Sequence, residues 1–590
     1  MSGLSISIET LDVDVAIVGS GGAGLMAALH ALRTSPGLRV AILSKGAIGR
    51  SGCSIMVQGY NAALGPDDSP LLHFEDAVRS GAFLADQELV WAMASDAPDR
   101  VRELENEAGC YFDRAPDGSL ELASFPGQTR NRKVHRGHET GLEIMGRLRD
   151  RLFALAPVEL ADVRALELLR GEHGEAAGVL ALDIRRGTPV TVRAGAVVVA
   201  AGGGAASLYR VATPAREKSG DGLALCYRAG LEVRDMEFVQ FLSVGLVASG
   251  SRVTGVLLEE ALRFAGAELL DASGDRFMAR HDPERMERAP RDDVARAMYA
   301  EILAGRGTPD GAVLLDARPI GRDVLERRFA DLIGRARRAG RDLVTEPVPV
   351  APASHIGIGG VVIDPGAATS IPRLFVAGED AGGIHGASWQ GGNGIAESTV
   401  FGARAGSAAA IAARSGAPRI APDEAAIVEA LRTVFAPLSR DVGPLPFGLS
   451  DQLRDLMWQR AGLVRDEAAL AEAAERLGRL AEQVETLAVP GPAQANPAWQ
   501  EALDLRNSVQ VARLVVTAAR ARQESRGMHV RTDHPARDDA RWLRTVVLRQ
   551  GDDPGGAPLV ETRPVVLDRL RPAPVPSATA IAAADSAGAP

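Results

Sequence analysis

The 590-residue sequence has few cysteines and no long hydrophobic run. Its three cysteines, Cys53, Cys110 and Cys226, lie far apart without a C-x-x-C pair. This spacing excludes a disulfide scaffold, a zinc site built from cysteines and an iron–sulfur cluster held by this chain alone. His135 and His138 lie close together, but no third metal ligand is evident, so we interpret them as loop or substrate-side residues and predict no metal site.

Positive charge is also scarce relative to negative charge. The 66 Lys and Arg residues face 76 Asp and Glu residues, a formal net charge of -10, which argues against nucleic acid as a partner. The sequence shows neither a run of about 20 apolar residues nor a basic segment followed by an apolar signal segment. We therefore expect a cytoplasmic protein without an integral membrane segment, peripheral to the inner membrane only through a partner.

A glycine-rich turn between a strand and a helix is the first strong motif that is present. Residues 13–18 (VDVAIV) are predicted to form a buried strand, residues 19–24 (GSGGAG) a turn that opens an apolar helix, and residues 38–43 a second strand. In this context G-x-G-x-x-G is typical of a dinucleotide site, although a glycine-rich turn in an unrelated α/β protein stays an alternative. Leu43-Ser44-Lys45 stands where a simple NAD site has an acid, which disfavours NAD.

Two later segments also read as strands that end in glycines. They are residues 195–204 (GAVVVAAGGG) and 373–383 (RLFVAGEDAGG). Because all these strands end in glycine-rich turns yet lie far apart in the chain, they favour one dinucleotide-binding sheet interrupted by an inserted domain.

Longer motifs follow one another in a fixed order between about residues 12 and 545. They include LASFPGQ (122–128), KSGDGLAL (218–225), GDRFMARHDP (274–283), SHIGIGG (354–360), HGASWQGGNGIAESTVFGARA (385–405) and RQESRGMHVRTDHPARDDARWL (522–543). Together they resemble the flavoprotein subunits of succinate dehydrogenase and fumarate reductase, a family that also contains L-aspartate oxidase. The chain departs from the family pattern at several positions and is identified as a divergent member.

The resemblance implies an α/β fold in which a Rossmann-like FAD-binding domain is interrupted by an α+β capping domain and followed by a helical domain. We predict the FAD-binding domain at 12–240 and 352–412, the capping domain at 241–351 and the helical domain at 420–545. The last segment, 546–590, is rich in Pro, Ala, Gly and Ser and is predicted to be a partly disordered tail.

FAD is the cofactor that the resemblance implies. The residues matched to the family's flavin contacts are Gly19, Gly21, Gly22, Gly24, Ser44, Lys45, Ser51, Gly59, Ala201, Gly202, Asp221, Glu379, Asn393, Gly394 and Ile395. Where respiratory members have R-S-H-T with a histidine bonded covalently to the flavin, this chain has Arg50-Ser51-Gly52-Cys53. We therefore predict non-covalent FAD. A thioether from Cys53 is the alternative to a small buried cysteine.

The resemblance also implies a proton relay. Hydride transfer between a C–C bond and flavin N5 needs a group that handles the proton on the adjacent carbon. The family motifs place Arg291 as the proton-transfer residue, fed by Glu260 and Arg263, and keep His355 from the substrate-binding set.

Other substrate-binding positions depart from the family. Leu242 replaces a histidine, Glu259 a threonine, and Trp389 the arginine that clamps a carboxylate. With Phe125, these are the candidate substrate contacts. Since a lost bidentate Arg–carboxylate contact costs about 2–5 kcal/mol, succinate, fumarate and aspartate are disfavoured and a more apolar or aromatic small molecule is favoured.

Three alternatives remain. The chain could be the flavoprotein component of a succinate dehydrogenase or fumarate reductase type complex, docking an iron–sulfur subunit through its helical region. It could be an L-aspartate-oxidase-like flavin oxidase that reduces dioxygen. It could also bind flavin without catalysis.

Overall fold

The computed structural model describes residues 8–213, 217–251, 253–258, 260–414, 420–551 and 555–573, so the end of the predicted tail, 574–590, lies outside the described residues. The strands are β1 Glu9–Val18, β2 Val40–Ser44, β3 Tyr60–Asn61, β4 Leu122–Ala123, β5 Lys133–Val134, β6 Val158–Ala161, β7 Val163–Arg170, β8 Ala176–Asp183, β9 Thr188–Val199, β10 Val233–Arg234, β11 Val239–Leu246, β12 Glu268–Leu270, β13 Val313–Asp316, β14 Val348–Gly357, β15 Gly360–Val361, β16 Leu374–Val376, β17 Arg544–Arg549 and β18 Leu559–Pro564.

The helices are interspersed among these strands along the chain. They are α1 Gly22–Thr34, α2 Pro70–Ser80, α3 Gln87–Asn106, α4 Thr140–Leu155, α5 Asp221–Arg228, α6 Ala261–Ala265, α7 Met278–His281, α8 Arg291–Leu303, α9 Arg322–Arg328, α10 Ala330–Arg338, α11 Asn393–Arg414, α12 Glu424–Phe435, α13 Pro446–Arg460, α14 Glu467–Val484, α15 Pro497–Ala521 and α16 Asp539–Trp542. None of these described helices is both long and apolar enough to cross a bilayer.

A seven-stranded sheet forms the centre of the molecule. Its order is β6-β2-β1-β9-β8-β7, with β16 also paired to β9. β1 runs parallel to β2 and β9, and β16 runs parallel to β9, whereas β7 and β8 are antiparallel to their neighbours. The apolar residues at the end of β1 are buried, as expected for a parallel strand with both faces covered.

Helix α11 packs directly on α1 beneath this sheet. The approach is close because α11 carries glycines where it crosses α1. A Cβ on Gly402 would lie 2.4 Å from the Ala23 carbonyl oxygen, and one on Gly406 would lie 2.1 Å from that of Ala27. The glycines therefore let the two backbones touch, which fixes the start of α1 at the edge of the sheet.

The chain between β9 and β16 contains an insertion with a sheet of its own. The antiparallel sheet β11-β14-β13-β12, with α6 to α10, has its own hydrophobic cluster, which includes Leu246, Phe277, Met298 and Val348. This insertion carries Arg291 at the first position of α8.

The C-terminal region is helical up to α16 and then returns to strands. β17 pairs with β10, and β18 with β17, so part of the predicted tail forms a paired ribbon. Val546 and Leu548 are fully buried. The Pro- and Gly-rich composition that suggested disorder begins between the two strands, and long-range pairing orders this part of it.

Candidate active site

A cavity of about 560 Å³ opens at the carboxyl ends of the parallel strands β1, β2, β9 and β16. Its walls include residues 18–23, 43–45, 200–202 and 378–379, each of which reaches or follows the end of one of these strands. Cofactors of doubly wound sheets bind at this edge. The sheet therefore brings together segments that are far apart in sequence.

The glycine-rich turn meets the cavity at the start of α1. A Cβ on Gly19 would lie 2.0 Å from the Ala200 oxygen, and a Cβ on Gly24 would lie 2.1 Å from the Gly19 oxygen. The N-cap residue of α1 is Gly21, which has no side chain to cap the first N–H groups of the helix. The Gly22 N–H donates to Ser54 Oγ at 3.0 Å. The positive end of a helix thus faces the cavity, which suits a pyrophosphate. Gly24 serves the packing of strand and helix and does not line the cavity.

Lys45 lies in a cluster of charges at one end of the cavity. Its Nζ is 2.8 Å from Asp221 Oδ2 and 3.0 Å from Asp504 Oδ1 on α15. The buried Arg164 contacts the same two carboxylates, at 2.8 and 2.7 Å. Burial opposes ionisation of Asp221, but Arg164 and Lys45 outweigh it and hold the pKa of that carboxyl well below its usual value.

Lys218 and Glu379 form a buried ion pair across the cavity, with 2.6 Å between Nζ and Oε2. Cys53 Sγ lies 3.4 Å from the same Nζ. Burial lowers the pKa of the Lys218 ammonium, but Cys53 and Glu379 more than offset this and leave its pKa above the usual value. Lys218 therefore stays charged beside Glu379.

Most predicted flavin contacts line this cavity. Those found there are Gly19, Gly21, Gly22, Ser44, Lys45, Ser51, Gly59, Ala201, Gly202, Asp221, Glu379, Gly394 and Ile395. Asn393 does not line it, because its Oδ1 accepts from Asn61 at 2.7 Å and lies 2.9 Å from His73 Nε2. Asn61 Nδ2 also donates to the Gly391 carbonyl oxygen at 2.7 Å, so Asn61 joins Asn393 to the Gly391–Gly392 loop.

Two members of the predicted relay face each other in the cavity. Arg291 Nε lies 3.6 Å from Glu260 Oε1, and both residues line the wall. Arg263 is buried behind them and does not reach the cavity. Its Nη1 donates to the backbone oxygens of Glu287 and Ala289. Burial lowers the pKa of Arg263, with Glu260 acting in the opposite direction.

Leu242, Phe125, His355 and Trp389 also line the cavity, and we call this group the substrate end. The His355 and Trp389 rings are 5.2 Å apart at 56°. His355 Nδ1 lies 2.7 Å from Thr213 Oγ1. Burial, together with Lys218 and Arg291, lowers the pKa of His355 to about 3, so the ring is neutral at pH 7. Glu259, the remaining predicted contact, lies outside the described residues.

Carboxylates outnumber cations along the cavity wall. Among the described lining residues the cations are Lys45, Lys218 and Arg291, and the carboxylates are Glu217, Asp221, Glu260, Glu379 and Glu397. Each of these cations has a carboxylate oxygen within 3.6 Å. The wall thus offers little uncompensated positive charge to an anionic substrate.

Sequence reasoning missed Arg164, Asp504 and Ser54. Arg164 and Asp504 lie outside the glycine-rich segments, and neither stands in a motif that points to a nucleotide. Ser54 follows the Gly52-Cys53 segment, whose chemistry concerns covalent attachment of the flavin. His135, interpreted from the sequence as a loop or substrate-side residue, contacts Asp113 at 3.0 Å.

Known families match both main regions of the chain. Residues 14–395 match the family described as FAD binding domain, and residues 450–578 match the family described as fumarate reductase flavoprotein C-term.

Individual proteins match over nearly the full chain. A protein of Methanothermobacter marburgensis, named as one of the subunits of fumarate reductase (CoM/CoB), is 39% identical over 92% of this chain and 98% of its own length. L-aspartate oxidase of Streptomyces coelicolor is 37% identical over 92% of each. The structure of Mycobacterium smegmatis Sdh1 in complex with UQ1 superposes with a TM-score of 0.88 at 36% identity, covering 96% of both chains. These similarities are consistent with FAD in the cavity.

Proposed function

The chain belongs to the succinate dehydrogenase and fumarate reductase flavoprotein family, which includes L-aspartate oxidase, and is an FAD-dependent oxidoreductase. From this premise we propose that it transfers a hydride between flavin N5 and one carbon of a C–C bond while Arg291 moves a proton at the adjacent carbon. We further propose that the substrate is not a simple dicarboxylate. Bound FAD supplies the site that gives or takes the hydride.

Arg291 is suited to the proton step by its place in the cavity. It lies at the first position of α8, with its side chain about a quarter exposed, and its Nε is 3.6 Å from Glu260. A carboxylate at this distance can return a proton to the guanidinium after transfer. Arg263, buried behind the pair, contributes charge rather than contact with the substrate.

The charge of the cavity wall is the observation that carries the proposal against a dicarboxylate. Of the three described cations that line the cavity, Lys45 and Lys218 are held by Asp221 and Glu379, and Arg291 is compensated by Glu260. A second substrate carboxylate would meet the neutral substrate end. An anion desolvated there without a partner is costly, so a substrate with at most one carboxylate fits better.

Rapid mixing of the FAD-loaded enzyme tests the proton step. Flavin is reduced with dithionite, and its reoxidation by each member of a panel of conjugated alkenes is followed by absorbance. Arg291→Ala is expected to slow reoxidation by about 100-fold or more, whereas reduction by dithionite stays unchanged, since only reduction of the alkene needs a proton from Arg291. The matched control is Arg322→Ala, an exposed arginine of the same insertion that pairs with Glu326.

Two outcomes contradict the proposal. Full activity in Arg291→Ala would contradict the role of Arg291 in proton transfer. Rapid turnover of succinate or fumarate by the unmodified enzyme would contradict the proposal that the substrate is not a simple dicarboxylate.

The relatives support two kinds of electron partner. One of them is named as a subunit of a fumarate reductase, which supports a separate protein, such as an iron–sulfur protein, as electron donor or acceptor. Another is an L-aspartate oxidase, which supports dioxygen instead. Co-purification of an iron–sulfur protein favours the first, and stoichiometric peroxide formation by the purified enzyme favours the second.

A further inference from the structure

We propose that the substrate end binds an aromatic or bulky apolar group, so that the substrate is an α,β-unsaturated monocarboxylate with this group on its β carbon, or the saturated counterpart. This inference rests on the hydride and proton transfer proposed above, and it specifies what occupies the place of a second carboxylate.

The Trp389 indole is held firmly at the cavity wall. Its backbone N–H donates to Gln240 Oε1 at 3.2 Å, and Gln240 is fully buried. The indole ring contacts the His355 ring, with 5.2 Å between the centroids. On the other side, Trp389 Nε1 lies 3.3 Å from where a Cβ would be if Gly394 had a side chain. Contacts on both sides leave the indole little freedom, which makes it a fixed platform for a flat ligand.

Phe125 and Leu242 extend the apolar surface around this platform. Phe125 Cδ1 lies 3.1 Å from the position of a Cβ on Gly391, so the phenyl ring rests on the loop that follows Trp389. Lys133 Nζ lies 4.7 Å from the centroid of the same ring. Leu242 stands in β11 and is nearly buried. Rings and a branched aliphatic chain from three separate segments thus line one end of the cavity.

Charge at this end points in the same direction. His355 is neutral because burial and the nearby cations keep its pKa low, and Trp389 and Leu242 carry no charge. The Lys133 ammonium lies against Phe125 but does not line the cavity. Arg291 is more loosely paired than Lys45 and Lys218, with 3.6 Å between its Nε and Glu260, so its remaining N–H groups are the anchor we propose for a single carboxylate. The geometry is therefore asymmetric, with one polar anchor and one apolar pocket, and a dicarboxylate such as fumarate would place its second charge against apolar groups.

The proposed reaction balances with reduced flavin as the two-electron donor and solvent as the source of the proton. In the reducing direction bound FAD, once reduced, would supply a hydride, with two electrons, for the β carbon, and the Arg291 guanidinium would give a proton to the α carbon. The C=C double bond becomes a single bond, and Glu260 takes up a proton from solvent and returns it to Arg291. The carbonyl group conjugated to the alkene carries the negative charge that develops between these two transfers. Dithionite supplies the electrons in the test.

Fumarate, cinnamate and crotonate differ only at the β carbon, so comparing them tests which group the substrate end binds. Cinnamate has a phenyl ring where fumarate has its second carboxylate, and crotonate has only a methyl group. Binding of each to the oxidised FAD-loaded enzyme is measured from the perturbation of flavin absorbance, and reoxidation of the reduced enzyme is measured separately. The variants are Trp389→Ala and Trp389→Arg, with Trp91→Ala as the control for truncating a tryptophan that contacts Phe74 and does not line the cavity.

We expect cinnamate to bind at least about tenfold more tightly than crotonate or fumarate, in line with burial of a phenyl ring. Trp389→Ala should remove this preference, Trp389→Arg should reverse it in favour of fumarate, and Trp91→Ala should leave it intact. Equal binding of cinnamate and crotonate, or a preference that survives Trp389→Ala, overturns the inference even if both are reduced with Arg291 dependence. Failure of every alkene to reoxidise the flavin counts against the proposed function, while the binding measurements still decide the inference.

Discussion

Gly52 occupies the position where the resemblance places a histidine that bonds to flavin. It lines the cavity with φ +81°, and a Cβ built on it has no atom within 4 Å. A side chain here would therefore project into the open space of the cavity proposed for FAD, and glycine provides no nucleophile. The departure from the family motif thus falls at a position from which a side chain could reach the flavin.

We expect acid precipitation of the FAD-loaded protein to release all of its flavin into the supernatant. The measurement is flavin absorbance in the supernatant and the pellet. Cys53, next in sequence and 3.4 Å from Lys218 Nζ, is the residue that could retain it. If flavin stays in the pellet and Cys53→Ser releases it, the non-covalent prediction is wrong and a thioether forms.

His73 shows how the surroundings of one residue set a pH dependence. The ring is fully buried, with Asn393 on Nε2, and the charged Arg132, Asp68 and Asp76 lie around it. Burial lowers its pKa from 6.5 to about 4, with Arg132 acting in the same direction. Between these values the unfolded chain binds a proton that the folded chain does not, so this group reduces stability as pH falls below about 7.

Replacing His73 with glutamine should remove this contribution. Between pH 7.5 and 5.5 the unmodified protein should lose about 1 kcal/mol more of its free energy of unfolding than His73→Gln. Urea denaturation at both pH values measures the difference, and other titrating groups cancel because both proteins contain them. Parallel losses in the two proteins would show that His73 takes up a proton as readily in the folded chain as in the unfolded chain, and would contradict the lowered pKa.

The sequence allowed some side chains to be placed and not others. Arg291 and Glu260 could be expected in one cavity because motifs on both sides fixed their register, and both line it. Asn393 also lies in a matching motif, but a motif does not tell which way a side chain turns. Its partners Asn61 and His73 come from segments more than 300 positions away, so only the fold shows that it faces away from the cavity.

At the scale of elements, the contact between α1 and α11 determines where the start of α1 lies. The glycine fingerprint predicted β1 and α1, since its local turn chemistry is self-contained. The matching role of Gly402 and Gly406 was not predicted, because a glycine inside a helix gives no sign of which helix it will approach. The ribbon of β17 and β18 escaped prediction for the same reason, since its partner β10 lies more than 300 residues earlier.

We expect Gly406→Ala to destabilise the protein by about 2 kcal/mol or more and to lower its FAD content. The added methyl group would lie 2.1 Å from the Ala27 carbonyl oxygen, so α11 and α1 must separate. Gly478→Ala in α14 is the matched control, because its Cβ meets nothing within 4 Å. That variant should gain about 0.5–1 kcal/mol from helix propensity. Urea denaturation and the flavin-to-protein absorbance ratio measure both effects, and equal behaviour of the two variants contradicts this account.

At the scale of the whole molecule, three separate regions build one cavity. The central sheet supplies the glycine-rich edge, the insertion supplies Glu260 and Arg291, and α15 of the C-terminal region supports Lys45. The first two contributions were expected from the strand-to-glycine segments and from the motifs. The third was not, because Asp504 lies in a helix whose pattern indicates only packing.

Helix α15 helps to position Lys45 through carboxylates that Lys45 shares with Arg164. Asp504 Oδ1 accepts from Lys45, Arg164 and Ser219, and Asn507 donates to Asp221 Oδ1 at 2.6 Å. Lys45 and Asp221 line the cavity, whereas Asp504 stands behind them. The helical region thus fixes the position of a cationic side chain that the resemblance assigns to the adenosine end of FAD.

Although Asp504 does not line the cavity, Asp504→Asn should weaken FAD binding about 5–10-fold. The reason is that Lys45 and the buried Arg164 lose a charged acceptor that they share. Titration of the apoprotein with FAD, followed by flavin fluorescence, gives the dissociation constant, and circular dichroism confirms that the helices are retained. Asp455→Asn in α13 is the control, since Asp455 pairs with Arg210 at the surface and should leave FAD affinity unchanged. If Asp504→Asn binds FAD as tightly as this control, the C-terminal helices stabilise the fold but do not position the cofactor site.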